Sequence, residues 1–413
     1  MAFLHILYFY KHTAFLCALL FFEATLNYCQ GQVQSSRGMD FWLGYGAHAA
    51  MFNSNGTVNN STGGTQELRL YLQSSVSANV TISMPATGWS QTVTVNNVND
   101  QVVIPKTGPS DARLTGEGVF NGGIHISSDQ PIAAYAHIND ASGSSATLLA
   151  PFEILEQEYY AIGYTQAAKE NNSFSYCFVV ATEDSTTVEV IPSADTKGHP
   201  AHVPFTQFLR KGQVLNLVGK TTGSSGGIIS GTDLTGTYIH TVSAGKDTFC
   251  KKLAVFSGSS NTLISCNGQG TGDNLFQQAL PSRAWGVSFV TVPTVGMGIN
   301  YYRVFTGGTQ TAVTVNGIPL TGIVNGMYYE FKTDKAAEIK ATAPVVVAQY
   351  ISSAGACGNT GLGNKGDPDM VFLCPMDLRI GVVTYFTPAL KNITENYINV
   401  VVNTTVVDSF NRN

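Results

Sequence analysis

Short segments in which apolar and polar residues alternate run along most of this chain, and they restrict its fold more than any other feature. These segments are rich in Val, Ile and Thr and end at Gly, Pro or Asn, which is typical of half-buried β-strands. Clear examples are residues 67–73, 79–85, 91–97, 186–192 and 311–317. The best helical candidate, residues 150–161, is short, with room for a turn or two. The sequence therefore predicts an all-β protein.

One apolar phrase occurs three times, at residues 128–138, 251–259 and 342–352. Its almost continuous apolar character predicts a central strand that is covered on both faces. In two copies a proline, Pro131 or Pro344, precedes the apolar run. We expect this proline at the first position of its strand, where no ladder hydrogen bond is lost.

Each copy of the phrase closes a longer unit, so the chain is predicted to contain internal repeats. The units cover approximately residues 38–150, 151–280 and 281–374, and a fourth, truncated unit covers residues 375–413. Units of this length suit β-sandwich-like domains. We therefore predict about three and a half pseudo-repeats of β-sandwich-like units packed together. A large-bladed β-propeller is the alternative.

The N-terminus has the layout of a secretory signal peptide covering residues 1–31. Lys11 and His12 precede an apolar run at residues 13–22 that is too short to span a bilayer comfortably. Cys29 and Gly31 are small residues at the −3 and −1 positions of a cleavage before residue 32. No later segment is apolar enough to cross a membrane. The sequence predicts a secreted or cell-surface protein without membrane insertion, whose mature part is residues 32–413.

Composition narrows the possible partners. A hydrophobic content of 44% permits a sizeable core. The net charge is only −5, and no basic stripe is present that would bind a polyanion. Nucleic acid is therefore not an expected partner.

Five cysteines follow the predicted signal peptide: Cys177, Cys250, Cys266, Cys357 and Cys374. Export permits disulfide bonds. We favour the two local pairings, Cys250 with Cys266 and Cys357 with Cys374, although spacing alone leaves the connectivity open. Cys177 lies in an apolar strand and is expected to be buried. No CxxC motif or His/Cys cluster indicates a zinc site.

Three stretches resemble the N-terminal domain of the IgGFc-binding protein family: residues 231–245, residues 253–258 and residues 274–293, which read NLFQQALPSRAWGVSFVTVP. The family motif places a Gln-Leu pair, a proline and Trp-Gly in this order. At the matching positions this chain has Gln277, Gln278, Pro281, Trp285 and Gly286. Residues 40–45, DFWLGY, also resemble the opening of many secreted bacterial members.

The chain departs from the family pattern at two positions. Cys250 lies before the FSG sequence, where the family often has a cysteine pair after it, and Gln277 replaces an acidic residue. The resemblance implies an extracellular binding or adhesion module. It does not by itself imply that this chain binds antibody.

Sequence features that suggest chemistry are weak. Residues 223–227 match GxSxG, but we expect neither a strand before them nor a helix after them, and a nucleophile elbow needs both. Glu153, Glu156 and Glu158 form a carboxylate cluster without a visible cleft. We predict no catalytic residue and no cofactor, so the chain is not expected to be an enzyme.

Metal-ligating residues are also not predicted. Asp367 and Asp369 lie in one loop, but two carboxylates are too few ligands to favour a Ca²⁺ site. A solvated turn is the favoured interpretation. His125, His137 and His240 fall on predicted strands and are expected to be structural residues.

The leading functional hypothesis is an adhesion or binding module for an extracellular protein or glycan ligand, such as a glycoprotein, a matrix component or a cell surface. Its binding loops are expected at residues 53–64 and 355–366. Three tyrosine pairs, 159–160, 301–302 and 328–329, should each place one ring outward if they lie on strands. The alternative is a passive spacer domain of a larger surface protein, and an extracellular hydrolase is the least favoured hypothesis.

Overall fold

The structure is a computed structural model that describes residues 36–96, 100–243, 251–266, 268–308, 310–357, 366–378 and 395–402. The predicted signal peptide and Cys250 lie outside the described residues. Within them the chain forms strands and four short 3-10 helices, namely Ala49–Met51, Gly108–Ser110, Phe152–Ile154 and Ser282–Ala284. The helical candidate at 150–161 therefore provides a single short turn. No helix in the described part of the chain has the length and apolar character that crossing a membrane requires.

We number the predicted units 1 to 3 in chain order, and unit 1, residues 38–150, is built around one long strand. Its strands are β1 (Gly38–Leu43), β2 (Glu67–Ser74), β3 (Ser77–Met84), β4 (Trp89–Asn96), β5 (Asp100–Val103), β6 (Gly118–Phe120), β7 (Ile124–Asp140) and β8 (Gly143–Leu148). The sheet has the order β4-β3-β7-β2-β5, and both β1 and β8 also pair with β7. All of these pairings are antiparallel.

Unit 3 repeats this arrangement strand for strand. Its strands are β20 (Gly286–Thr291), β21 (Asn300–Thr306), β22 (Val313–Val315), β23 (Ile318–Pro319), β24 (Tyr328–Thr333), β25 (Ala337–Ile351) and β26 (Asp369–Phe372). The order is β23-β22-β25-β21-β24, and both β20 and β26 pair with β25. The long strand β25 therefore takes the place that β7 has in unit 1.

In unit 2, which lies between units 1 and 3 in the chain, the corresponding strands form two main sheets and not one. Its strands are β9 (Glu158–Tyr160), β10 (Gln166–Ala168), β11 (Ser175–Ala181), β12 (Thr186–Ile191), β13 (Phe205–Leu209), β14 (Val214–Val218), β15 (Thr221–Ser225), β16 (Ile228–Gly231), β17 (Tyr238–Thr241), β18 (Leu253–Thr262) and β19 (Asp273–Gln278). The sheets are β19-β18-β11-β14-β6 and β13-β12-β17-β9, and β10, β16 and β15 form a small third sheet. Two strands, β17 and β18, replace the single long one.

The repeated apolar phrase forms the central strand of each unit, as predicted. It lies in β7, β18 and β25, and each of these strands pairs with neighbours on both sides. Every residue of β18 is buried. The covering of both faces explains why the phrase lacks the usual alternation.

The predicted position of the prolines is wrong. Pro131 and Pro344 lie inside β7 and β25, not at their first residues. In β7 the residues before Pro131 pair with β3 and the residues after it pair with β2, and the β1 register also shifts there. Because proline has no N–H to donate, it fits where a strand leaves one set of neighbours and joins another.

In sheet β19-β18-β11-β14-β6 the strands β18, β11 and β14 are buried on both faces, and the sheet joins the units into one body. Tyr176, Phe178 and Val180 of β11 pack into a core that they share with unit 1. Cys177 and Val179 point the other way, into the core of unit 2. A third core combines residues of units 2 and 3. The prediction of an all-β protein built from repeated sandwich-like units is thus confirmed.

The predicted fourth unit lies mostly outside the described residues. Residues 375–378 and 395–402 of it are described, and no strand forms in them although residues 397–402 are rich in Val and Ile. High β propensity does not make a strand unless a neighbouring segment completes the ladder.

Candidate ligand-binding face

Two residues of the family-like motif fasten unit 1 to unit 2. The Gln277 side chain accepts a hydrogen bond from Thr147 Oγ1 at 3.2 Å and donates one to the Ala146 carbonyl at 2.9 Å. The Gln278 Oε1 accepts from the Ala150 backbone N–H at 2.7 Å. Both glutamines therefore bind β19 to β8 and the residues just beyond it.

The rest of the motif forms the connection from unit 2 to unit 3. Pro281 precedes the short helix Ser282–Ala284, and Trp285 follows it. The Trp285 ring meets Phe305 edge to face at 5.7 Å between centroids. At Gly286 a side chain would overlap the Cβ of Pro375, so this position requires glycine. The motif that carries the family resemblance is therefore a structural joint.

The predicted disulfide pairings are wrong, because Cys266 bonds to Cys357, with 5.5 Å between their Cα atoms. Cys374 is an exposed thiol and Cys177 a buried one. The physical reason is that the segment after β18 and the segment after β25 run side by side. Ser353 N–H donates to the Ile264 carbonyl at 2.8 Å in this region. The bond links unit 2 to unit 3 across 91 residues, which the local spacing of cysteines did not indicate.

Three carboxylates meet where the three units join, and we call Asp273, Asp367 and Asp369 the acidic junction. Asp273 is only 6% exposed, and its Oδ1 accepts from the Asn274 N–H at 2.6 Å. Asp369 accepts from Ser145 Oγ of unit 1 at 3.2 Å, and Asp367 accepts from Thr271. The predicted solvated turn is thus an inter-unit contact.

Burial dominates the electrostatics of the acidic junction. Burial, together with the charges of Asp367 and Asp369, raises the pKa of Asp273 to about 9. Burial raises the pKa of Asp369 to about 6. The described residues contain no group of three His, Cys, Asp or Glu side chains placed to hold a metal ion. Burial therefore favours the protonated form at the acidic junction, and Asp273 keeps its proton at neutral pH.

A different surface, the outer face of sheet β13-β12-β17-β9, combines aromatic rings and carboxylates. Its strands alternate strictly, so Val188, Val190 and Ile239 are fully buried on the inner side. The partly or fully exposed residues on the outer side include Glu158, Tyr160, Glu189, Tyr238 and His240. We call these five residues the aromatic face.

The rings of the aromatic face stand next to one another across neighbouring strands. Tyr238 lies opposite Tyr160 of β9, with 4.9 Å between ring centroids. The His240 ring is also 4.9 Å from that of Tyr238. Phe208, on β13, extends the apolar surface and is 52% exposed. Tyr159 points inward and is fully buried, so the expectation of one outward ring holds for the 159–160 pair. It is wrong for the 301–302 pair, because β21 is covered on both faces and both rings are buried.

Carboxylates flank these rings. His240 Nε2 lies 2.9 Å from Glu189 Oε1, and the Tyr238 hydroxyl hydrogen-bonds to Glu158. Burial and the Glu158 carboxylate hold the pKa of Tyr238 above its ordinary value. Strands β9, β12, β13 and β17 contain no Lys or Arg. The aromatic face is therefore an acidic surface with aromatic rings at its centre.

The loop at residues 53–64, which was predicted as a binding loop, is exposed but fixed by its own side chains. Asn55 Oδ1 accepts from Thr57 N–H at 3.1 Å, and Arg113 donates to the Asn59 carbonyl at 2.8 Å. The loop contains no aromatic or charged residue. The second predicted loop, residues 355–366, is described only at residues 355–357 and 366. The loop at residues 53–64 therefore presents no anchor comparable to the aromatic face.

The weak chemical motifs have structural surroundings that differ from an active site. The GxSxG match at residues 223–227 lies in the hairpin of β15 and β16. The expectation that no strand precedes the motif is wrong, because β14 lies just before it. The element that follows the motif is a strand, β16, and not a helix. Glu156 forms an ion pair with Arg283 at 2.6 Å. Of the three histidines, His125 contacts Asp40 at 2.9 Å.

Comparison with known proteins gives one match. A family model described as IgGFc binding protein matches residues 145–411. No curated protein and no solved structure matches the chain.

Proposed function

This chain belongs to the IgGFc-binding protein family, and we propose that it is an extracellular module that binds a protein or glycan ligand through its aromatic face. Membership of this family favours an extracellular binding role. The observation that carries the location of the site is the partly exposed pair Tyr160 and Tyr238 between two carboxylates.

The physical support for a binding role lies in the rigidity and composition of this face. Tyrosine is enriched among residues that dominate binding energy, because it offers a large ring with few rotatable bonds and a polar end. Tyr160 is also held by Trp285 and Phe305, at 5.6 and 5.2 Å between centroids. A surface that is already ordered loses little conformational entropy when a ligand binds.

We infer that the module binds without catalysing a reaction. The carboxylates nearest the rings are engaged, Glu158 by Tyr238 and Glu189 by His240. The serine of the GxSxG match lies in a hairpin far from the geometry of a nucleophile elbow.

We also infer that residues 1–31 direct export. Expression of the whole chain in a secreting host, followed by N-terminal sequencing of the exported protein, tests this point. A product that starts at residue 32 supports the inference, and retention in the cytoplasm contradicts it.

The binding proposal is tested with the exported protein and two variants. Immobilised IgG Fc, mucins, matrix proteins and a glycan set serve as the panel. Tyr238→Ser removes the central ring, and Ile318→Ser is the control because Ile318 is 69% exposed on unit 3. We expect saturable binding of the unchanged protein and the control, and loss of binding in Tyr238→Ser. Equal binding by both variants contradicts the location of the site, and no binding across the panel favours the passive spacer.

A further inference from the structure

The protein contains an internal example of how tyrosines and carboxylates bind a cation. Arg303 is only 1% exposed and lies at the boundary between units 2 and 3. Two carboxylates contact its guanidinium, Asp233 at 2.7 Å and Glu330 at 2.9 Å. Three tyrosine rings surround it, namely Tyr164 at 4.4 Å, Tyr328 at 3.8 Å and Tyr350 at 5.5 Å from the centroid. We call this arrangement the Arg303 cage.

Charge attraction is strong enough in the Arg303 cage to overcome burial. Burial opposes the charge, but Asp233 and the surrounding groups hold the pKa of Arg303 above its ordinary value. Burial also opposes the charge of Asp233, yet Arg303 keeps the pKa of Asp233 below its ordinary value. Rings and carboxylates together therefore form a site that favours a guanidinium.

The aromatic face contains the same chemical groups at a partly exposed surface. It has two tyrosine rings, Tyr160 and Tyr238, and two carboxylates, Glu158 and Glu189. Among the described residues, cation–π contacts cover other rings, such as Phe174 by Lys197 and Phe152 by Lys252. In that part of the chain no Lys or Arg covers the rings of the aromatic face.

We propose that the aromatic face binds an arginine or lysine side chain of a protein ligand. This inference rests on the proposed function, because it specifies the ligand of the same surface. Glu189 contacts His240 through Oε1, which leaves Oε2 as an acceptor for a guanidinium N–H. The Tyr238 ring provides the cation–π contact.

Charge decides between this ligand and a glycan. A neutral sugar also packs on tyrosine rings and its hydroxyls can donate to carboxylates, but it carries no positive charge for the two carboxylates to attract. An anionic glycan is repelled by them. The four strands of this sheet carry Glu158 and Glu189 and no basic residue other than His240. A cationic side chain is therefore the ligand that this surface fits best.

The test uses immobilised peptides and the exported chain. One peptide contains four Gly-Arg repeats, and its partner contains four Gly-citrulline repeats, which keep the shape and remove the charge. A surface coated with a neutral galactoside is the glycan probe. Surface plasmon resonance then measures binding at two salt concentrations.

Three variants separate the site from general charge attraction. Glu158→Gln and Glu189→Gln each remove one charge from the aromatic face, because an amide of similar shape replaces the carboxylate. Glu338→Gln removes one charge from an exposed carboxylate on β25, where it pairs with Lys340 at 2.8 Å. Thermal unfolding of each variant shows whether the fold is kept.

We expect the arginine peptide to bind more tightly than the citrulline peptide, and more weakly as salt rises. Glu158→Gln and Glu189→Gln should each weaken binding about tenfold, whereas Glu338→Gln should change it less than about twofold. Equal weakening by all three variants, equal binding of citrulline, binding of the galactoside alone, or no binding to either peptide overturns the inference. The panel of macromolecules described above tests the binding function separately. If that panel binds through Tyr238 and the arginine peptide does not, only the cationic ligand is refuted.

Discussion

Replacing Asp273 with Asn is expected to stabilise the protein at neutral pH. Burial and two neighbouring carboxylates raise the pKa of Asp273 from 3.8 to about 9. Near neutral pH the folded state therefore keeps a proton that the unfolded state has lost. The free energy of unfolding is highest below pH 3.8 and falls as the pH rises towards 9.

The size of the effect follows from the width of this window. Each pKa unit corresponds to about 1.36 kcal/mol, so the proton held by Asp273 costs about 4 kcal/mol of stability at pH 7. Asparagine has no proton to lose, and its Oδ1 can still accept from the Asn274 N–H. We expect Asp273→Asn to raise the free energy of unfolding by about 3–4 kcal/mol at pH 7 and to change it little at pH 4.

Urea unfolding at pH 5, 7 and 8.5 measures this effect. The control is Asp334→Asn, which makes the same substitution at an exposed carboxylate. The difference between Asp273→Asn and the unchanged protein should grow with pH, and that for Asp334→Asn should stay small. A gain below about 1 kcal/mol at pH 8.5, or a gain that does not depend on pH, would refute the interpretation of the acidic junction.

Three further changes test the contacts between units 2 and 3. Arg303→Met should lower the free energy of unfolding by about 3–5 kcal/mol at pH 7, because Asp233 is left without its cation. The loss should be smaller at pH 4, because without Arg303 burial favours the protonated form of Asp233 in the variant. Urea unfolding at both pH values measures this. Cys266→Ser should lower the free energy of unfolding by about 2–5 kcal/mol. Reduction of the unchanged protein should lower its Tm to that of Cys266→Ser. Gly286→Ala should cost about 1–3 kcal/mol because the new Cβ meets Pro375, and addition of Pro375→Ala should restore part of the Tm.

The strands and the repeats were predictable because their signals are local. Alternation at residues 186–192 identified β12, and the nearly continuous apolar run at residues 251–259 identified β18 as a central strand. Each signal depends only on which faces of a single strand are covered. The exchange of neighbours at Pro131 was not predictable, because it depends on which strands lie on each side.

The functional surface was only partly predictable for a related reason. The Tyr159–Tyr160 pair indicated one outward ring, and Tyr238 and His240 are two positions apart, so they share a face. Their contacts with Glu158 and Glu189 come from other strands, and the register of those strands is not visible in the sequence. The same limitation applies to the bond between Cys266 and Cys357, whose partners are 91 residues apart.

Strands β11 and β18 are buried on both faces, and this limits how such a chain can evolve. A string of independent domains can gain or lose one member by duplication or deletion of a gene segment. Here Phe178 and Phe256 fill a core together with unit 1, while Cys177 and Val255 fill the core of unit 2. Deletion of unit 1 would expose the first pair to water, so unit 2 depends on unit 1 for its burial, and diversification of these two units is left to their outer surfaces.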